Sequence, residues 1–299
     1  MPLVSFQELM SDAQRGQYAV GYFESWNLDS LMSVADAAEK MHSPVILGVS
    51  GVYLPHRQRK VRDPLSSHAA IGLDVCRGLS VPACLLFNES PHLDWVHSAL
   101  ELGFNLVMFS DERLTNDLQL QIMRGLVSCA HQRGAAVEAE LQPLAGVAGQ
   151  LRADETTDRR LTDPQEAEQF IWQTGVDALA VNIGQCHYHG RRRVRLDLRR
   201  LNELGRLPVP LVLHGATSVN RDDLRTAVEQ GIRKINVGSL LKQVYFQALR
   251  QACTQVHDHD NPYEIIGSGL ENDVLVAARL AMQNSVEDLM KLFGSAGMA

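Results

Sequence analysis

The 299-residue chain predicts one (β/α)8 barrel, a TIM barrel in the α/β class, with an extra N-terminal helix and extra C-terminal helices. Three observations carry this. Eight short apolar segments alternate with helical patterns. Their starts lie roughly 24 to 43 residues apart, room for a strand and a helix each time. No GxGxxG sequence and no linker breaks the series, which favours a barrel over a doubly wound sheet. The expected unit is a single domain over residues 1–299.

Ser5 to Arg15 reads as an amphipathic opening helix with Phe6, Leu9, Met10 and Ala13 on one face. Tyr18 to Phe23 is the first strand, and Asn27 caps the helix after it. Pro44 to Ser50 is the second strand. The basic stretch from Gly51 to Leu65 then reads as a loop over the barrel top or a solvated surface. A helix from about Ser67 to Gly78 precedes the third strand, Val81 to Phe87. Pro91 is expected at the first position of the next helix. Leu106 to Ser110 is the fourth strand, a helix covers Leu114 to Gln132, and Ala135 to Leu141 is the fifth strand. Gln142 to Asp158 has no clear period and reads as a long active-site loop. Asp163 and Pro164 start a helix that Gly175 ends. Ala178 to Gly184 is the sixth strand. Leu211 to Leu213 is the seventh and delivers His214, after which Asn220 caps a helix. The eighth, Lys234 to Ser239, ends in Asn, Gly and Ser, and two helices near Ser239–His257 and Asn272–Phe293 close the chain.

Composition narrows the function. Hydrophobic content of 45% and charged content of 21% are those of a globular protein. A net charge of -7 argues against nucleic acid as a partner, yet leaves room for an anionic ligand in a locally positive site. Five scattered cysteines without a CxxC pair fit reduced thiols and a cytoplasmic setting. No signal-like start and no membrane-length apolar run are visible.

Active sites of such barrels gather at the carboxyl ends of the strands. Those ends supply Glu24, Ser50, Asn88 with Glu89, Ser110 with Asp111, Glu140, His187 with His189, His214, and Asn236 with Ser239. Imidazoles and carboxylates are ligands for zinc or a related ion. Small residues after His214 and around Gly238 leave backbone N–H groups open to a phosphate. Each residue also has a plainer reading. Most of the eleven histidines are expected at the surface or in ordinary hydrogen bonds. Glu138 and Glu140 could be a pore-facing and a helix-facing pair held by salt bridges.

The segments YAVGYF, SPVILGVS, VEAEL, TDPQEAEQFIWQTGVDALAVNIGQCH, VPLVLHGATS, GIRKINVGS and LFGSAG together resemble the class II aldolases for ketose bisphosphates. The resemblance runs nearly end to end. It implies a homodimer or homotetramer that cleaves a ketose bisphosphate to dihydroxyacetone phosphate and an aldehyde, with a zinc ion polarising the ketone. It places metal ligands on His187 and His214, with Glu140 as an alternate. Phosphate contacts fall on Gly215, Ala216, Thr217, Asn236, Val237, Gly238 and Ser239, with Tyr188 where the family has glycine. Ser50 falls on the carbonyl side of the substrate. Neither a membrane nor a nucleic acid is implied.

Departures cluster at the chemistry. The family's His-Leu-Asp-His after the third strand is Leu86-Phe87-Asn88-Glu89 here. Asn88 stands at the proton donor's position without an acidic proton, and Glu89 replaces a metal-binding histidine. The set becomes two histidines and one carboxylate. Glu24 stands for the usual Asn and Ser110 for an aspartate, and the loop after the fifth strand has lost its pattern. Three readings follow: an aldolase using another carboxylate as acid, a related reaction through the same enediolate, or a barrel that binds a sugar phosphate or partner subunit without turnover.

Overall fold

The structure, a computed structural model, describes residues 2–141, 144, 161–186 and 193–299. The order is α1 (Phe6–Gly16), β1 (Val20–Phe23), α2 (Leu28–Met41), β2 (Val45–Ser50), α3 (Leu65–Gly78), β3 (Ala83–Ser90), α4 (Leu93–Glu101), β4 (Leu106–Phe109), α5 (Asn116–His131) and β5 (Ala136–Glu140). Then come α6 (Pro164–Thr174), β6 (Ala178–Ala180), α7 (Leu198–Leu204), β7 (Leu211–Leu213), a 3-10 turn (Ala216–Ser218), α8 (Arg221–Glu229), β8 (Ile232–Val237), α9 (Ser239–Cys253), α10 (Pro262–Ile265) and α11 (Val274–Leu292). The strands form a closed barrel in sequence order, with β8 pairing in parallel to β1. The expected architecture is therefore present.

Alternation along each strand sorts side chains into two layers. Phe23, Leu47, Leu85, Val107, Val137, Leu179, Leu213 and Ile235 point outward and pack under the helices. Val20, Tyr22, Ile46, Leu86, Leu106, Ala136, Ala178 and Val212 point inward. The apolar face of α1, Phe6, Leu9, Met10 and Ala13, joins this inner layer and stoppers the barrel below the strand starts. The opposite end stays polar, and the site is built there.

Local signals are realised where a side chain satisfies a free helix-start N–H. Asn27 accepts from Ser30 N at 2.9 Å, Asp163 from Gln165 N at 2.9 Å, and Asn220 from Asp223 N at 3.1 Å. Pro91 does not open α4. Ser90 still belongs to β3, its carbonyl accepts from Ser110 N at 3.0 Å, and the helix begins at Leu93. The first strand starts at Val20, because Tyr18 N is taken by Ala13 O at the end of α1. Helix α3 starts at Leu65, just after Pro64. The expected helix over Ser239–His257 ends at Cys253, and the one-turn α10 separates it from α11.

Gly48 of β2 faces Leu86 of β3 so closely that an added methyl would lie 2.0 Å from the Leu86 carbonyl oxygen. That oxygen belongs to a paired strand and has little room to yield. Gly48→Ala is expected to cost about 3 kcal/mol of stability, at the upper end for overpacking. A urea midpoint unchanged from wild type would refute this.

Candidate active site

His214 follows β7 and points into the barrel with 1% of its surface exposed. Its two ring nitrogens meet two carboxylates. Nδ1 lies 2.8 Å from Glu89 Oε1, and Nε2 lies 2.7 Å from Glu138 Oε1. The other oxygen of Glu138 pairs with Lys234 Nζ at 2.7 Å. Lys234 also donates to Asn236 Oδ1. The Asn236 amide nitrogen lies 2.9 Å from His214 Nε2 and 3.5 Å from Asn88 Oδ1. Asn88 Nδ2 donates to Glu89 Oε2 at 3.1 Å, which closes the circuit.

Strand geometry explains who takes part. Lys234 and Asn236 are two apart on β8 and so share the inward face. Glu138 and Glu140 are two apart on β5, and the same rule corrects their expected split. Neither faces the helices: Glu138 meets His214 and Lys234, while Glu140 accepts from Ser110 Oγ and is 5% exposed. Glu89 breaks the alternation. Adjacent residues on a strand point opposite ways, so Asn88 and Glu89 should not share a face. The register slips between Phe87 and Ser90, and Glu89 adopts φ 51, a left-handed conformation uncommon for a residue with a side chain. The kink lets Glu89 reach His214 while Asn88 stays buried beside it. Strain of this kind is found where structure around it holds a site in place.

The circuit alternates in charge. Burial alone would drive the His214 pKa down; hydrogen bonds and charges from Glu138 and Glu89 reverse this and push it up to about 10. Burial alone would raise Glu138, yet Lys234 and then His214 hold its carboxyl below the usual range. Burial lowers the Lys234 pKa, with Glu138 opposing. Tyr22 lies beneath, its ring 5.3 Å from Lys234 Nζ, and burial with three nearby glutamates raises its phenol well above the ordinary value.

The expected phosphate loops meet above β7 and β8. Gly215 takes φ 64, and its carbonyl accepts from Ser218 N at 2.9 Å. Thr217 Oγ1 accepts from Leu240 N at 3.2 Å, which ties this turn to the first turn of α9. Gly238 and Ser239 stand at that helix start. Ala216 is buried, and the Val237 side chain packs into the outer layer, so both present only backbone. Ser50 pairs in register with Asn88 at the mouth. His187, Tyr188, His189 and the loop over Gln142–Asp158, Leu144 apart, lie outside the described residues. Among the described residues no three His, Cys, Asp or Glu side chains form a metal-binding group. His214 and Glu89 are brought together; Glu140 is beside Ser110. Glu138 and Lys234 were missed as site residues, although the two-residue spacings Glu138–Glu140 and Lys234–Asn236 carried the signal.

Comparison with known proteins matches this geometry to a family. The family model for fructose-bisphosphate aldolase class-II matches residues 4–298. The chain belongs to this class II aldolase family. A fructose-bisphosphate aldolase of Geobacillus stearothermophilus is 31% identical over 304 residues, covering 100% of this chain and 99% of that protein. One from Giardia intestinalis is 29% identical, covering 100% and 95%. The crystal structure of the YdjI aldolase from Escherichia coli K12 superposes with a TM-score of 0.81 at 26% identity, covering 99% of this chain and 98% of that one. The function is aldolase-like, that of a lyase, and members of the family generally depend on a divalent metal. The reading as a barrel that only binds is not favoured. Among the described residues no helix is long and apolar enough to cross a membrane.

Proposed function

We propose that the chain cleaves a ketose phosphate or bisphosphate reversibly to dihydroxyacetone phosphate and an aldehyde. Zinc or a related divalent ion would be held by His214, Glu89 and His187, with Glu140 as an alternate ligand. The observation that carries this is the His214 ring clasped between Glu89 and Glu138. A divalent ion taken up by Nδ1 and Glu89 would replace the proton they share, while Glu138 would keep accepting from the other ring N–H and hold the ring's orientation. The donor chemistry therefore fits a divalent ion on the Nδ1 and Glu89 side. Bound there, the ion supplies Lewis-acid polarisation of the ketone.

The chain's own groups do the rest. Lys234 holds Glu138, and Glu138 holds the ring. Gly215, Ala216, Thr217, Asn236, Val237, Gly238 and Ser239, with Tyr188, would receive the phosphate through backbone and hydroxyl donors, and Ser50 would face the carbonyl side. Asn88 can position an oxygen through its amide but has no proton to release. In cleavage the hydroxyl that becomes the aldehyde must give up its proton, and with Glu89 holding the ion this falls to another carboxylate at the mouth, Glu140, which would return it in the reverse condensation. A homodimer or homotetramer is the assembly proposed.

Purified protein should release dihydroxyacetone phosphate from fructose or tagatose bisphosphate, lose this with a chelator and regain it with Zn2+. Asn88→Asp should raise kcat/KM about tenfold or more, since a placed acid is worth about 10²–10⁴. No turnover on either sugar under any metal would overturn the reading. An unchanged Asn88→Asp would assign the acid elsewhere.

A further inference from the structure

Glu24 follows β1, two residues beyond the inward-facing Tyr22, and its side chain is 15% exposed. Its N–H donates to Val237 O at 3.0 Å, which sets it beside the end of β8. The carboxylate lies against Gly238. A methyl added to Gly238 would come within 2.6 Å of Glu24 Oε2, and the three nearest atoms it would meet all belong to Glu24. Gly238 has φ -126 and ψ -65, outside the main extended and helical regions. Glycine there leaves space for Glu24 and also tolerates that backbone conformation.

Gly238 is also the residue at the start of α9, and no side chain caps it locally. The first N–H groups of a helix lack internal partners and attract negative charge. Glu24 therefore brings a carboxylate from another strand to the helix start where the ligand's phosphate is proposed to sit. Lys242, one turn into α9, forms an ion pair with Glu24, and its Nζ stands 4.7 Å from the Trp26 ring centre. The nearby cation is thus engaged by the same carboxylate.

We propose that Glu24 is a specificity-determining residue: its carboxylate competes with the ligand's phosphate for the start of α9, and Lys242 is shared between the two. The inference rests on the phosphate assignment made above. An arriving dianion meets a like charge and must draw Lys242 away from it. Ligands with a less charged end group lose less by this, so the device lowers discrimination in favour of a full phosphate.

Inorganic phosphate, titrated calorimetrically at fixed ionic strength into the full chain, tests this. Glu24→Gln should bind phosphate about five- to tenfold tighter than wild type, as expected for removing one partly screened like charge. Lys242→Met in that background should remove most of the gain. Glu24→Asn is the second variant should Glu24→Gln melt early. Ser239→Asp checks the assignment itself, because it returns a carboxylate to the helix start. Unchanged or weaker binding in Glu24→Gln, with weakening in Ser239→Asp, overturns the role of Glu24 and keeps the phosphate site. No response to either substitution, or no phosphate binding at all, overturns both.

Discussion

Replacing His214 by alanine is expected to lower kcat/KM by about 10³-fold or more and to leave the purified protein without the stoichiometric divalent ion proposed for the wild type. The ring links both halves of the site, Glu89 on one nitrogen and Glu138 on the other. Its loss removes the proposed metal ligand and leaves two carboxylates facing each other across the gap. Metal analysis beside steady-state kinetics checks the result. A full complement of metal in His214→Ala would rule out the ring as a ligand. Metal-free protein offers a second readout. A histidine whose pKa rises on folding stabilises in full below its unfolded value of 6.5 and loses this as pH climbs through about 10. The stability gap between wild type and His214→Ala should therefore narrow from pH 6.5 toward pH 10. Glu138 has the opposite sign, its contribution fading as acid pushes it through its lowered folded pKa.

Lys234→Met is expected to be the most destabilising single change in the barrel interior, by about 3–5 kcal/mol. Lys234 and Glu138 are both fully buried, so the variant takes one of two cationic partners from a buried carboxylate. That loss is a large share of the ~5–15 kcal/mol by which a domain of ordinary stability stays folded. Adding Glu138→Gln should return more than half of it, because a glutamine oxygen can still accept from His214 Nε2 without a charge to neutralise. Urea unfolding of both variants decides the matter. A Lys234→Met loss under 1 kcal/mol would mean that Glu138 is sheltered by other means.

The barrel was legible because its signals are local. Alternating apolar runs, asparagine and aspartate caps, and Pro164 at a helix start each act within a few residues, and each is found where expected. His214 was legible as the residue a buried strand hands to a small-residue turn. Four features needed the closed sheet. The reach of Glu89 depends on a register slip against β4, which no spacing along β3 discloses. The partnership of Lys234 with Glu138 joins β8 to β5 across the pore. Pro91 misled because proline suits a helix start, but Ser90 was still bonded to the neighbouring strand. The carboxylate of Glu24 was noted as an odd substitution, and only its approach to Gly238 gave that oddity a place.

Phe6, Leu9 and Met10 make the barrel a vessel with a sealed floor. Whatever is split inside leaves by the doorway through which it came.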